Sequence, residues 1–253
     1  MFLADVEQTM QDFLAGNPLN AVPDLGGLLI YDTPLVAAAA ADDALFEQLK
    51  QPVMVGPRHM SPGEWMSDVK TVITYFLPYT AEVRTANRTP GLPAPEWLYG
   101  RIEGEEFNNA LRRHLIGFFA AAGCRAMAPA LDERFSVAGL ISNWSERHAA
   151  FIAGLGTFSL NASLITKAGA AGRLGSVLVN TRLEPTPRPY TQRDEYCTGC
   201  GACIARCPAG AVTAHGKEHR PCAEFLEDTR ARFRPRYGCG KCQTAVPCEA
   251  KIP

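Results

Sequence analysis

The chain has 253 residues, 47% hydrophobic and 20% charged, enough for one large domain or a main domain with a small companion, and the composition is that of an ordinary soluble globular protein. A formal net charge of −1 excludes a globally basic molecule that would trap nucleic acid by charge alone. The charge is unevenly spread: residues 186–253 carry 11 Lys/Arg against 7 Asp/Glu, which leaves an acidic body, 14 against 19, for residues 1–185.

The opening "MFLADVEQTM" has no basic segment followed by an apolar run, so no secretory signal is expected and the expected compartment is a reducing cytoplasm. Residues 4–16 read as a short amphipathic helix, with Val6, Met10 and Leu14 at fourfold spacing. "KTVITYFL", Lys70–Leu77, is β-branched and aromatic and reads as a buried strand. Its apolar run is too short to span a bilayer, and no membrane association is expected. A Pro-, Thr- and Asn-rich loop is expected from Pro78 to about Pro95. "EGEEFNNALRRHLIGFFAAAGC" then predicts a helix with Phe107, Leu111, Leu115 and Phe118 on one stripe, stopped by Gly123. "SNWSERHAAFIAGLG" predicts another, capped by Ser142 or Asn143 and ended by Gly154 and Gly156. "SLIT" (163–166) and "GSVLVNTRL" (175–183) read as strands joined by the glycine-bearing "KAGAAGR". Three prolines in "EPTPRPY", Glu184–Tyr190, can continue neither helix nor central strand, so the boundary is placed there. Residues 1–185 form an α/β or α+β body, and residues 186–253 a tail that needs its cofactors to fold.

Eight of the nine cysteines lie in that tail. Cys197, Cys200, Cys203 and Cys207 have the spacing C-x2-C-x2-C-x3-C and precede Pro208, the bacterial ferredoxin run. Three thiolates from one tight loop can wrap one face of a [4Fe–4S] cube, while the fourth starts a segment leading to a second cube. Gly199 and Gly201 let the backbone approach the sulfides. Zinc usually takes paired C-x2-C knuckles separated by a longer loop, and three cysteines in seven residues would strain around one tetrahedral ion. Disulfides are disfavoured in a reducing compartment. With Cys222, Cys239, Cys242 and Cys248 the ligand count reaches two clusters. The crossing rule assigns Cys197, Cys200, Cys203 and Cys248 to one, and Cys207, Cys222, Cys239 and Cys242 to the other. Cys124, at the end of an apolar helix, reads as an inert buried thiol.

This cysteine order, ending in "YGCGKCQ", together with "SERHAAFIAGLGTFSLNASLIT", Glu146-Arg147, Gly169 and "RLG" (173–175), resembles the epoxyqueuosine reductase family, cobalamin-dependent iron–sulfur enzymes related more distantly to reductive dehalogenases. The resemblance runs from about Val69 to Cys248. It implies a nitroreductase-like α/β (α+β) body, a ferredoxin-like tail with two [4Fe–4S] clusters, and base-off cobalamin between them. The implied corrinoid contacts are Gly154, Gly156, Gly169, Arg173, Gly175 and Ser176. The sequence also departs from the family pattern. Leu140 stands where the family places an Asp proton donor six residues before Glu-Arg. Ser159, Leu160 and Asn161 stand where it has Gly-Lys-Asn. Glu249 rather than proline follows the last cysteine, and the helical-repeat tail of many members has no counterpart.

Four arginines in "RARFRPR", Arg230–Arg236 around Phe233, could grip a phosphate-bearing ligand or RNA, or could form a solvated face that offsets cluster charge and docks an electron donor; net charge favours the second. His148 is the one candidate proton donor, although a packed helix histidine is the commoner case. Adjacent helical residues, Glu146 and Arg147 are expected to point to different sides. Two classes of function follow. One is an iron–sulfur oxidoreductase that passes electrons from a low-potential donor such as ferredoxin or flavodoxin to a corrinoid or small molecule in the body, related to epoxyqueuosine reductase without sharing its tRNA chemistry. The other is a cobalamin-free electron-transfer or cofactor-handling protein without its own substrate. Nucleic acid is not expected as a partner.

Overall fold

The computed structural model describes residues 2–253. The strand expected at residues 70–77 forms as Thr71–Pro78, and every residue in it is buried. An alternating pattern would mark a sheet with one wet face; this continuous apolar run marks a strand covered on both sides. It is the second strand of a four-stranded sheet. In chain order the strands are β1 (Leu35–Ala40), β2 (Thr71–Pro78), β3 (Ala126–Met127) and β4 (Gly172–Val179), and their spatial order is β1–β2–β4–β3. All three pairings are antiparallel, with Ile73 opposite both Ala38 and Val177. The fold is therefore mixed in the α+β sense, with no parallel crossover in this sheet.

One sheet face carries Ile73, Tyr75, Leu77, Val177 and Val179, packed on α1 (Leu3–Gly16) and on the long helix α2 (Pro95–Ala121). The other carries Val72 and Leu178, with Ala37 and Ala39, against Phe46, Trp65, Trp144 and Ile152. Each large side chain enclosed this way contributes about 1.5–3 kcal/mol before ordering costs. The stripe of α2 is Phe107, Leu111, Leu115 and Phe119; Phe118 is only partly buried, because strict fourfold spacing from Leu115 lands on Phe119. The helix begins at Pro95, earlier than its apolar pattern suggests, because a proline is tolerated in its first turn. The loop expected at 78–95 contains a further helix, Ala81–Ala86, capped by the Thr80 hydroxyl.

The helix α3 (Glu146–Ile152) is preceded by Ser145, not Ser142 or Asn143. Ser142 lies in a small hairpin, Val137–Ala138 against Ile141–Ser142. The Asn143 amide is spent within that turn, accepting from Ser136 N at 2.9 Å and donating to the Arg134 carbonyl at 2.9 Å. No helix or strand occurs between Val179 and Ala202, the stretch that holds the proline-rich segment. That segment is nevertheless pinned: Thr186 N donates to the Ala38 carbonyl, and its hydroxyl accepts from Ala38 N. After it come α4 (Ala202–Ala205) and α5 (His219–Phe233). Among the described residues no helix is long and apolar enough to cross a membrane.

Candidate metal centres and the cavity beside them

The eight tail cysteines fall into two sets. Cys197, Cys200, Cys203 and Cys248 surround one small void, with Leu160 and Val246. Cys207, Cys222, Cys239 and Cys242 line a separate, larger cavity of about 590 Å3. Local chain geometry makes the split. Gly199 and Gly201 adopt φ of 65° and 72°, which turns the backbone tightly enough to place Cys197, Cys200 and Cys203 around one point. Helix α4 then carries the chain away, so Cys207 faces the first turn of α5, where Cys222 stands. Cys242 lies within a 3-10 turn, Lys241–Gln243, which Cys239 precedes and which is entered through Gly240 at φ 64°.

The body holds these loops by their carbonyls. Asn87 Nδ2 donates to Cys239 O at 3.0 Å, Asn161 Nδ2 to Cys242 O at 2.5 Å, and Ala170 N to Cys248 O at 2.9 Å. The buried Lys241 ammonium donates to Asn87 O and Thr89 O at 3.1 and 2.7 Å, which ties the same loop down again. Asn161 keeps the asparagine of the family's Gly-Lys-Asn, while its neighbour Leu160, which stands in the place of the lysine, packs among Cys203, Val246 and Cys248.

The thiols feel their own set. Burial pushes Cys248 up to about 11, and Cys203, Cys197 and Cys200 add to the rise. Burial pushes Cys242 up to about 12, with Cys239, Cys207 and Cys222 adding and Lys217 opposing. Burial therefore favours the protonated thiol at Cys203, Cys239, Cys242 and Cys248; iron would supply the positive charge that stabilises thiolates there. Among the described residues no three Cys, His, Asp or Glu side chains converge tightly enough for a single metal ion. Zinc draws four sulfurs to about 2.3 Å from one point, whereas a cube spreads them over its corners. Each set supplies four cysteines, the ligand count of one cube. Cys124 lies apart, half-buried at the end of α2.

The larger cavity runs from the second set into the body. Arg173 lines it, but none of the other five expected contacts does. Each of those five is filled by the protein itself. A side chain at Gly154 would meet the Pro187 carbonyl at 2.8 Å, and one at Gly156 would strike the Ile165 backbone. One at Gly169 would strike Glu249 and Ala250, and one at Gly175 the Tyr75 ring. Ser176 is buried and accepts from Trp144 Nε1 at 2.9 Å. Glycines read as a cradle are thus places of close backbone approach. Glu146 and Arg147, expected on different sides, both line the cavity, because α3 presents its first turn end-on to it. Glu146 accepts from Arg112 at 3.4 Å. Nothing in the spacing singles out Arg101, Arg112 or Glu105, which reach the same cavity from α2.

His148 does not line the cavity. Its Nδ1 is 2.7 Å from the hydroxyl of Ser145, which does. Burial first, then the charges of Arg193, His59 and Arg147, pushes its imidazole down to about 3, so it is neutral near pH 7. Leu140 sits in left-handed conformation at the exposed hairpin tip, far from offering an acid. Two of the arginines in "RARFRPR" are used internally: Arg236 donates to Glu103 at 2.7 Å, and Arg230 stacks on Tyr237 at 4.0 Å.

These features describe an iron–sulfur protein with an enclosed site beside its metal centres. Residues 191–213, which contain the first four tail cysteines, match the 4Fe-4S binding domain family. The chain is similar in sequence to epoxyqueuosine reductase: that of Bacillus cereus is 32% identical over 114 residues, 41% of this chain and 29% of the relative. The matched segment therefore spans less than a third of that relative's length. In fold it resembles an epoxyqueuosine reductase crystallised with an epoxyqueuosine-modified tRNA stem loop, at TM-score 0.55 and 17% identity over 98% of this chain and 66% of that one. It also resembles a catabolic reductive dehalogenase, at TM-score 0.56 and 13% identity over 86% and 30%. Because that first neighbour holds RNA, net charge alone is no ground for setting nucleic acid aside.

The resemblance implies cobalamin, and the cavity offers a test of fit. Cavities for drug-sized ligands run roughly 300–1,000 Å3, and a complete cobalamin is well above drug size. The void here is about 590 Å3, and part of it lies between the four thiols of the second set. With the glycine positions also filled, these residues do not fit an enclosed cobalamin.

Proposed function

We propose that the chain is an iron–sulfur reductase that carries electrons through two [4Fe–4S] centres to a small-molecule acceptor in the large cavity. When bound, such clusters pass single electrons. The observation that carries the reading is the division of the eight cysteines: one set includes the exposed Cys200, while the other lines the cavity. Cys197, Cys200, Cys203 and Cys248 form the entry centre, within reach of a low-potential donor of the ferredoxin or flavodoxin kind. Cys207, Cys222, Cys239 and Cys242 form the exit centre. Lys241 and Arg206, both bonded to carbonyls of the 87–89 loop, keep positive charge beside the ligand loops and fix their position. Glu105 and Glu146 hold Arg112 in place, at 2.8 and 3.4 Å. Epoxyqueuosine in tRNA is not the substrate on this reading, since the hairpin tip carries Leu140 in place of the acid.

The test is anaerobic purification followed by iron, sulfide and zinc analysis. The expected content is about eight iron and eight sulfide per chain. Stoichiometric zinc without acid-labile sulfide would overturn the reading.

A further inference from the structure

The charge on the cavity wall is unbalanced. Arg101, Arg112, Arg147, Arg173 and Lys217 face it, against Glu105 and Glu146. Both carboxylates are engaged by Arg112, and Arg173 reaches Glu105 only at 3.7 Å. The Nε atoms of Arg101 and Arg173 are buried without a hydrogen-bond partner. Arg147 is exposed and lines the cavity from the first turn of α3. A thiolate-ligated cubane of charge about −2 offsets part of this excess and leaves cations over. Arg173 Nη2 donates to the Arg101 carbonyl at 2.6 Å and Arg101 stacks on Tyr237, so these guanidinium groups are satisfied only in part, and a bidentate oxyanion is the partner their planar forks fit best. The wall is otherwise mixed, with aliphatic, small and amide side chains beside four aromatic rings, of which Phe225 is half-buried and Phe76, Tyr79 and Trp97 are set into the wall.

We propose that the cavity binds a planar aromatic molecule carrying a phosphate or carboxylate, with its oxyanion on Arg147, Arg101 and Arg173 and its ring against Trp97 and Phe225. This deepens the reading above, on which the cavity holds the electron acceptor. The void of about 590 Å3 includes the space between the four thiols, so what remains beside a cluster sets mononucleotide size as the upper limit for the ligand. The aromatic lining supplies area and the arginines supply orientation, the usual division of labour in small-molecule sites.

The test uses anaerobic full-length protein whose iron and sulfide have been measured first, so missing clusters and missing binding are separate results. Equilibrium dialysis compares FMN with riboflavin, which share a ring system and differ in the phosphate, and 4-hydroxybenzoate with phenol, which differ in the carboxylate. At least one anion is expected to bind tenfold or more tightly than its neutral counterpart, and which pair shows this identifies the oxyanion. Arg147→Gln should remove most of that preference with the iron content unchanged, and Arg147→Lys should restore part of it. If Arg147→Gln fails to load iron, Arg101→Gln carries the same expectation. Protein with full clusters that binds neither anion better than its neutral partner overturns the proposal, as does a preference that survives both glutamine variants.

Discussion

Arg88 Nη2 donates to Glu249 Oε1 at 2.8 Å, and Arg88 Nε donates to the same carboxylate at 3.1 Å. Glu249 follows Cys248 directly, and its carboxylate also accepts from Ala245 N at 2.6 Å. The residue that departs from the family's proline is therefore the clamp that closes the last cysteine loop onto the body. Its side chain is only 6% exposed, so removing it strands the Ala245 amide and the largely buried Arg84, while the half-exposed Arg88 returns to water. Glu249→Ala should destabilise the protein by about 2 kcal/mol and lower iron retention at the Cys248 site, with little effect at the other. Chemical denaturation and iron counting measure both.

The two cysteine sets make a grouping test. Cys203→Ala and Cys248→Ala should damage the same centre, and Cys207→Ala and Cys242→Ala the other, each costing about four iron per chain. Electron paramagnetic resonance of the reduced variants separates the centres. A common signature for Cys203→Ala and Cys207→Ala, four residues apart in sequence, would show the sets to be wrongly drawn.

His59 is 2% exposed and stacks on Trp144 at 5.7 Å, and neither ring nitrogen has a partner. Burial, then Lys50, pushes it down from 6.5 to about 4. The folded protein keeps it neutral while the unfolded chain takes a proton near 6.5. Its contribution is therefore complete above that pH and is lost progressively as pH falls towards 4. Between about pH 7.5 and 5.5, unfolding free energy should fall by about 1 kcal/mol on this account. His59→Phe should flatten that slope in urea titrations, although Glu47 and Glu64 nearby shape the remainder.

Much of this was legible in the sequence because it depends on short-range spacing. The C-x2-C-x2-C-x3-C run and its glycines state their own geometry, and "VITYFL" announces a strand buried on both faces. The cavity was not legible in that way. Arg101 and Arg112 on α2 meet Arg147 on α3 and Arg173 on β4 only because the sheet brings three separated segments to one edge. The glycines at 154, 156, 169 and 175 misled for a related reason: a loop glycine and a glycine under a crossing backbone look alike until the crossing chain is seen. Phe118 and Phe119 were separable only by which of them met the core.

The Leu140 tip has a cellular consequence. The sequence as it stands should fail to restore queuosine in cells lacking their own reductase, because loss of a positioned acid costs about 10²–10⁴ in rate. The measurement is the queuosine content of bulk tRNA, and restored modification would return this chain to tRNA chemistry.

Much of the cavity wall comes from the cysteine-rich segment, through Cys207, Cys222, Phe225, Cys239 and Cys242, and the rest comes from the body. Burial favours the neutral thiol at Cys239 and Cys242 in that wall. On the proposed function, the same four cysteines would both carry the last electron and shape the wall the ligand meets, so loading iron and finishing the pocket would be one maturation event.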